Sequence, residues 1–232
     1  MKQKKQFLRI QPHKLYQIYT RSSKNRTDLL TKNLVPGQTV YDEALVTDKG
    51  VQYRTWDPSR SKLAAGILKG LDQTGIKKGS TVLYLGASSG TTISHISDMV
   101  ETEGIIYGID ISSFMLRDLV LLSKTRPNII PLLGNASKPQ EYASLVTAAD
   151  VIYQDIAQPD QTRIFLKNCD QFLRRGGFGI YCVKSRSIDI TKKPKQIYAQ
   201  VRSELEKQLT VIDFRILDPY EKDHCIFFVK KK

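Results

Sequence analysis

The sequence predicts an α/β fold: a doubly wound, mostly parallel sheet that ends in an antiparallel hairpin and follows a small, mostly β domain. Three observations predict it. From Trp56 onward, short apolar β-type runs alternate with segments of helical spacing, as a parallel sheet with helices on both faces requires. A glycine turn, Gly86-Ala87-Ser88-Ser89-Gly90, joins one such run to one such helix. The last two β-type runs are separated only by Asp218–His224, too short for the crossover that a parallel pair needs.

Residues 1–55 form the small domain, with β-type runs at Gln6–Ile10, Leu15–Thr20, Gln38–Tyr41 and Val51–Tyr53, punctuated by Pro36-Gly37 and Asp48-Lys49-Gly50. Its many Lys and Arg residues read equally as a docking face or as solvated edges. Residues 56–232 form the larger domain. Ser61–Leu71 is helical by spacing, and Ser80–Leu85 is the first strand. After the glycine turn, Ile93, Ile96, Met99 and Val100 mark a helix to about Val100. Strand two is Ile105–Asp110, and a helix at Phe114–Lys124 leads to strand three at Asn128–Leu133. A short helix at Tyr142–Ala148 leads to strand four, Val151–Gln154. A helix over Gln161–Leu173, closed by Gly176-Gly177, precedes strand five at Phe178–Val183. A long helix, Lys195–Leu209, then leads to the hairpin runs Val211–Leu217 and Cys225–Val229.

Composition narrows the function classes. With 232 residues, 41% of them hydrophobic, the chain can bury one good core and a small appendage. Lys and Arg total 36 against 23 Asp and Glu, a net charge of +13, which favours a polyanionic partner, nucleic acid first, over a merely solvated basic surface. Cys169, Cys182 and Cys225 have no C-x-x-C spacing, which fits a reduced, cytoplasmic setting. His13, His95 and His224 do not cluster as metal ligands would, so no metal site is expected. No apolar stretch approaches the roughly 20 residues that cross a membrane, and the basic N-terminus has no apolar run behind it, so neither a membrane span nor a signal peptide is expected.

The glycine turn carries the chemistry. Strand, glycine turn, helix is the layout by which such a sheet offers backbone N–H groups to a ligand, and Asp110, ending the next strand, can accept hydrogen bonds from both hydroxyls of a ribose. The turn departs from G-x-G-x-x-G, since Gly86 is followed by Ala87 and Ser88. A dinucleotide needs glycine there for its pyrophosphate. S-adenosylmethionine has no phosphate, and polar side chains such as Ser88, Thr91 and Thr92 suit its amino-acid end. The turn therefore favours S-adenosylmethionine over a nicotinamide dinucleotide without excluding the latter, and the terminal hairpin adds weight to a Rossmann-like methyltransferase sheet.

Four segments in order, Gly86–Asp98, Tyr153–Pro159, Val183–Asp189 and Pro219–His224, together with Trp56–Lys62 and Asn128–Pro131, closely resemble fibrillarin. The chain is most similar to the archaeal fibrillarin-like RNA 2′-O-methyltransferases over nearly its whole length, and it lacks the Gly/Arg-rich tail of the eukaryotic proteins. The resemblance implies a cofactor site of Gly86, Ser88, Thr91, Thr92, Asp110, Ile111, Asn135, Ala136 and Asp155 through Gln158, that is Asp155, Ile156, Ala157 and Gln158. Two positions depart from the family pattern. Asp110 stands where Glu is usual, and Asn135 where Asp is usual, although its amide oxygen can still accept from an adenine amino group.

The resemblance also implies a catalytic set of Lys62, Asp155, Lys184 and His224. Asp155 and Lys184 follow strands four and five, where ligands of such sheets collect. Lys184 is expected to be the general base, or the group that binds and polarises the 2′-oxygen. A free lysine titrates near pH 10.4, and a second cation at Lys62 would help to discharge it. Asp155 is expected to orient Lys184, and His224 to orient the ribose or relay the proton. Taken alone, Lys184 reads as an ordinary solvated charge, Asp155 as turn chemistry and His224 as a hairpin residue. His95 reads as packing or as a hydrogen bond behind the site, and Lys192, Lys193 and Lys195 as holds for an RNA backbone or as a solvated loop.

The partners implied are a box C/D guide RNA, a Nop-type scaffold protein and a kink-turn-binding ribosomal-protein homologue, with ribosomal RNA and transfer RNA as substrates. Guide pairing would then read the sequence, which phosphate contacts cannot. A standalone RNA 2′-O-methyltransferase and a non-catalytic subunit of a ribonucleoprotein are the competing expectations.

Overall fold

Side chains alternate between two faces along each strand, and the computed structural model, which describes residues 9–24 and 26–232, buries both faces of the larger sheet, so its inner strands are buried almost throughout. Its strands are β6 (Thr81–Leu85), β7 (Ile105–Asp110), β8 (Ile129–Leu133), β9 (Ala149–Gln154), β10 (Leu173–Lys184), β11 (Leu209–Ile216) and β12 (His224–Lys231). They lie in the order β11-β12-β10-β9-β6-β7-β8. All neighbours are parallel except β12, which is antiparallel to β10 and to β11, as the short connection required. Val82, Tyr84, Ile106, Val151, Tyr153, Ile180 and Ile226 pack on one face. Their alternates Leu83, Leu85, Tyr107, Ile109, Ile152, Tyr181 and Phe227 pack on the other. The chain steps from β6 outward to β8, then returns to the opposite side of β6 at β9. The crevice between the C-terminal ends of β6 and β9 is therefore the switch point of the sheet.

The helices are α1 (Lys62–Leu68), α2 (Thr91–Val100), α3 (Ser113–Ser123), α4 (Gln161–Phe172), α5 (Ser185–Ile188) and α6 (Pro194–Glu206). The helix expected at Tyr142–Ala148 is instead a 3-10 turn at Pro139–Tyr142, opened by proline at its first position. Its anchor is a side chain: the Tyr142 hydroxyl donates to Asn168 Oδ1 at 2.5 Å. Strand five begins earlier than expected, at Leu173, because a bulge between Leu173 and Phe178 absorbs the glycine pair, with Gly176 at φ 72°. The long helix ends at Glu206 rather than at Leu209, which already belongs to β11, and the short α5 has no sequence counterpart. No helix among the described residues is long and apolar enough to cross a membrane.

The N-terminal sheet contains β1 (Gln11–Pro12), β2 (Ile18–Ser23), β3 (Arg26–Lys32), β4 (Leu45–Asp48) and β5 (Val51–Trp56), all antiparallel in the order β1-β2-β3-β5-β4. Asp48-Lys49-Gly50 is a hairpin turn, with Lys49 and Gly50 both at positive φ as a two-residue hairpin favours. Of the run expected at Gln6–Ile10, residues 6–8 lie outside the described residues. Gln38–Tyr41 is not a strand. The Glu43 carboxylate accepts from the N–H of Val40 at 3.0 Å and of Tyr41 at 2.8 Å, folding the segment into a turn. β5 runs one residue past the expected boundary at 55, so Trp56 still belongs to this sheet and stacks on His95 of α2.

Buried polar groups join the two sheets. Arg54 of β5 reaches Glu43 at 2.5 Å and Asp98 of α2 at 2.9 Å, with all three side chains fully buried. His95, one turn before Asp98, has Nδ1 2.8 Å from the Thr31 hydroxyl and Nε2 2.6 Å from the Tyr41 hydroxyl. Thr31 gives its proton to Asp98, so its oxygen accepts from His95 Nδ1–H. Burial first, then the neighbouring Arg54 and Arg126, depress the His95 pKa well below the ordinary imidazole value. Below about pH 6.5 the unfolded chain therefore binds a proton that the folded one refuses, and stability is lost as pH falls. Denaturant titrations between pH 8 and 5 are expected to show that loss, with a shallower slope in His95→Asn.

Candidate active site

Leu85 ends β6, and the chain turns at once under constraint from two neighbours. Gly86 and Ala87 donate their N–H groups to the Ile109 carbonyl of β7, at 2.9 and 3.1 Å. Gly86 lies at φ +82°, and a Cβ there would meet the Asp155 carbonyl oxygen at 2.5 Å, so only glycine lets the ends of β6 and β9 approach so closely. Ser88 adopts a left-handed φ of 51°, and its N–H reaches the Asp110 carboxylate at 2.8 Å. The N-cap of α2, Gly90, makes no side-chain cap, which leaves the first N–H groups of the helix free for a ligand.

Two adjoining clefts open at these strand ends. The first, about 250 Å³, is lined by Gly86, Ser88, Asp110, Ile111, Asn135, Ala136 and Asp155, Ile156, Ala157 and Gln158, with Ile109 and Gly134. The second, about 410 Å³, shares Gly86, Ser88, Asp155 and Ala157 with it and adds Thr91, Thr92, Lys62, Lys184 and His224. Every site residue expected from the sequence thus lines one cleft or the other. The second cleft also holds Arg60, Tyr84, Ala87 and Glu221, which sequence reasoning missed. Arg60 and Glu221 stood inside the segments Trp56–Lys62 and Pro219–His224, so position within those segments was the available signal. A larger cavity of about 1210 Å³ lies over the N-terminal sheet and meets the site only at Arg60. Asp28, Asp42, Glu43 and Asp57 line it beside its cations, a poor wall for a polyanion.

In the first cleft, Asp110 accepts from Ser112 N–H at 2.9 Å through one oxygen and from Ser88 N–H through the other. Each oxygen keeps a second lone pair, so the shorter acid still presents two acceptors. The Asn135 amide oxygen accepts from Ser137 N–H at 2.9 Å, which commits half its capacity to its own turn.

The second cleft departs from expectation in its charge pairing. Asp155 meets Lys62, not Lys184, with Nζ 3.0 Å from Oδ2. Burial works against the Lys62 ammonium, but the charge of Asp155 and the hydrogen bond to it, with Glu221 adding a smaller share, outweigh it and hold its pKa above the usual lysine value. Lys62 is placed by its helix: Ser61 caps α1, its oxygen accepting from Ala64 N–H at 3.4 Å and from the Thr92 hydroxyl at 2.9 Å. The Thr92 proton is therefore committed to Ser61. Lys184 is exposed, and its ammonium has no hydrogen bond or ion pair among the described residues. Its backbone is clamped on both sides by the Gln161 amide, at 3.3 and 3.4 Å, and Gln161 is held in turn by Gln154. His224 is the cross-strand register partner of Lys184, which puts both side chains on one face at the C-terminal end of β10.

A parallel sheet closed by an inserted antiparallel strand, with a nucleoside-sized cleft at its switch point, is the fold of the S-adenosylmethionine-dependent methyltransferases. The fibrillarin family model matches residues 10–232. The chain is 53% identical over 203 residues to the fibrillarin-like rRNA/tRNA 2′-O-methyltransferase of Pyrococcus furiosus, covering 88% of this chain and 89% of that one. It therefore belongs to the fibrillarin family. Its structure matches Aeropyrum pernix fibrillarin in complex with natively bound S-adenosyl-L-methionine, with a TM-score of 0.88 and 39% identity over 97% of this chain and 99% of that one. It also matches a chain of a fibrillarin/Nop5p complex, with a TM-score of 0.84 and 40% identity over 94% and 99%.

Proposed function

We propose that this chain is an RNA ribose 2′-O-methyltransferase that takes its methyl group from S-adenosylmethionine and acts on ribosomal and transfer RNA inside a box C/D guide-RNA particle. The observation that carries the reading is the pair of adjoining clefts, one nucleoside-sized and ending on Asp110, the other gathering Lys62, Asp155, Lys184 and His224. The residues fit the cofactor. Gly86 leaves a cradle that any Cβ would fill, Asp110 keeps two free acceptor sites for the ribose hydroxyls, and the uncapped start of α2 suits the carboxylate of the amino-acid end. Asn135, Ala136 and Gln158 would hold the adenine side.

Bound S-adenosylmethionine supplies a methyl group already activated on a sulfonium, so the protein's task is to align the acceptor oxygen and remove its proton. The Lys184 ammonium, having no competing partner, binds and polarises the 2′-oxygen. Asp155 does not hold Lys184 in that task. It fixes Lys62, and the pair forms the neutralised floor between the clefts.

A Nop-type scaffold, such as the Nop5p found with a related chain, supplies the docking frame, and a kink-turn-binding protein holds the guide. Base pairing then chooses the nucleotide, while the net charge of +13 supplies attraction without sequence preference. The archaeal source of the similar relatives supports reading the setting as the cytoplasm of an archaeal-type cell.

The test is transfer of labelled methyl to a target RNA with and without scaffold, kink-turn protein and matching guide. Label on the ribose opposite the guide, only in the full assembly, supports the guided enzyme. Equal label without the guide makes it a standalone methyltransferase, and no binding of S-adenosylmethionine makes it a structural subunit. Gly86→Ala checks the cofactor cradle independently. It is expected to destabilise the fold by about 1–3 kcal/mol in thermal melts and to weaken cofactor binding measured by calorimetry.

A further inference from the structure

We propose that His224 is the general base of this reaction: its Nε2 takes the proton of the ribose 2′-hydroxyl, while Lys184 remains an ammonium bound to the same oxygen. The inference rests on the RNA 2′-O-methyltransferase reading and assigns the one proton that the reaction must remove.

The geometry of the ring carries it. His224 Nδ1 lies 2.7 Å from the carbonyl oxygen of Lys222. A backbone carbonyl only accepts, so Nδ1 carries the hydrogen and Nε2 of the neutral ring carries a lone pair. No described residue hydrogen-bonds Nε2, and that atom is not among the occluded polar atoms left without a partner. The side chain is nonetheless mostly buried, and the cavity it lines is the acceptor cleft. The lone pair is therefore accessible on a side chain that lines the acceptor cleft. The Lys222 carbonyl orients the ring and accepts from the imidazolium, the part that an orienting acid plays in a Ser-His-Asp triad.

The other groups at the cleft are less suited. Asp155 is engaged by Lys62 at 3.0 Å. Because Asp155 neutralises Lys62, that lysine no longer helps to discharge the Lys184 ammonium. The charged groups facing the ring are Lys184 from β10, Lys62 from α1, Asp155 after β9, Arg60 before α1, and Glu221 and Asp223 on its own connection. Asp223 is paired with Arg186 at 3.0 Å. In the step, the O–H bond breaks as Nε2 takes the proton, and the freed oxygen pair forms the O–CH₃ bond. The electron pair of the breaking S–CH₃ bond stays on sulfur, which leaves as a neutral thioether. The imidazolium then returns its proton to water.

The test is single-turnover transfer by the full assembly across pH, with S-adenosylmethionine binding measured on each variant. An imidazole base gives a rate that rises through the neutral range and levels off above it. His224→Gln is expected to lose the rising limb and about 10²–10⁴-fold in rate with cofactor affinity unchanged, and added imidazole to restore part of the rate in His224→Ala. A rate still climbing toward about pH 10, as a lysine base requires, overturns the assignment, as does a His224→Gln enzyme within about threefold of the parent. Long-range ¹H–¹⁵N spectra of the unsubstituted protein read the tautomer directly: Nδ1–H is expected, and Nε2–H overturns the assignment. No transfer by the parent assembly overturns the enzyme reading and this inference with it. Transfer that His224→Gln leaves intact overturns this inference alone.

Discussion

Lys184→Ala is expected to lower methyl transfer by about 10³-fold or more while leaving the affinity for S-adenosylmethionine within about threefold of the parent. The size of the effect follows from where the charge sits. Lys184 stands at the C-terminal end of β10, its backbone clamped by Gln161, and its ammonium points from a fixed base into the acceptor cleft with no described partner. A cation held ready for a developing oxyanion, at a site that bound RNA shields from water, is worth several kcal/mol in the transition state and little in the free protein. Its removal leaves no buried charge unpaired, so stability is expected to change by less than about 0.5 kcal/mol. Lys62→Ala is a useful contrast. It strands Asp155 between the two clefts, so it is expected to depress both transfer and cofactor affinity. Single-turnover rates beside calorimetric binding separate the two patterns. If Lys184→Ala weakens cofactor binding as much as it slows transfer, Lys184 is part of the cofactor site instead.

The larger sheet was legible because strands buried on both faces leave apolar runs with little else in them, as at Ser80–Leu85 and Ile105–Ile109. Side chains at strand ends inherit that legibility, so the candidate catalytic residues Asp155, Lys184 and His224 line one cleft as expected. The pairing among them did not. Whether Asp155 turns to Lys62 or to Lys184 depends on how α1 is seated, and that is set by the Ser61–Thr92 hydrogen bond between segments distant in sequence. The N-terminal sheet was the least legible part. β3 reads Arg-Thr-Asp-Leu-Leu-Thr-Lys, with its apolar residues adjacent rather than alternating, and it is held by Thr31 and Leu29 packing across to α2 and Trp56. Gln38–Tyr41 had strand composition, yet hydrogen bonds from the N–H groups of Val40 and Tyr41 to one acid, three and two residues on, were enough to make it a turn. Asp98 closed the segment that identified the family and was given no role from sequence, because its partners lie more than twenty residues away on either side.

That residue yields the largest expected effect on stability. Asp98→Ala is expected to destabilise the protein by about 3–5 kcal/mol and to weaken S-adenosylmethionine binding at temperatures where the chain is still folded. Its Oδ1 accepts from Leu34 N–H at 3.0 Å and from Arg126 at 2.7 Å, and its Oδ2 from Thr31 at 2.7 Å and Arg54 at 2.9 Å. Two buried guanidiniums thus depend on one buried carboxylate, and only Arg54 has a second acid, Glu43. Truncation strands Arg126 in the core. The cost of an uncompensated buried charge, rather than the lost attraction, sets the magnitude. The link to function is mechanical. Asp98 lies on α2, whose first turn carries Thr91 and Thr92 at the cleft, and Thr92 in turn holds the cap of the helix that presents Lys62. Releasing the far end of α2 from the N-terminal sheet loosens the end that faces the cofactor. Asp98→Asn keeps the shape and part of the hydrogen bonding but removes the charge, so it isolates the electrostatic part and is expected to fall between the parent and Asp98→Ala. Urea unfolding and calorimetric binding on both variants decide the matter. A loss below about 1 kcal/mol for Asp98→Ala means that water or a rearranged Glu43 satisfies the two arginines, and that the N-terminal sheet is not what steadies the cofactor helix.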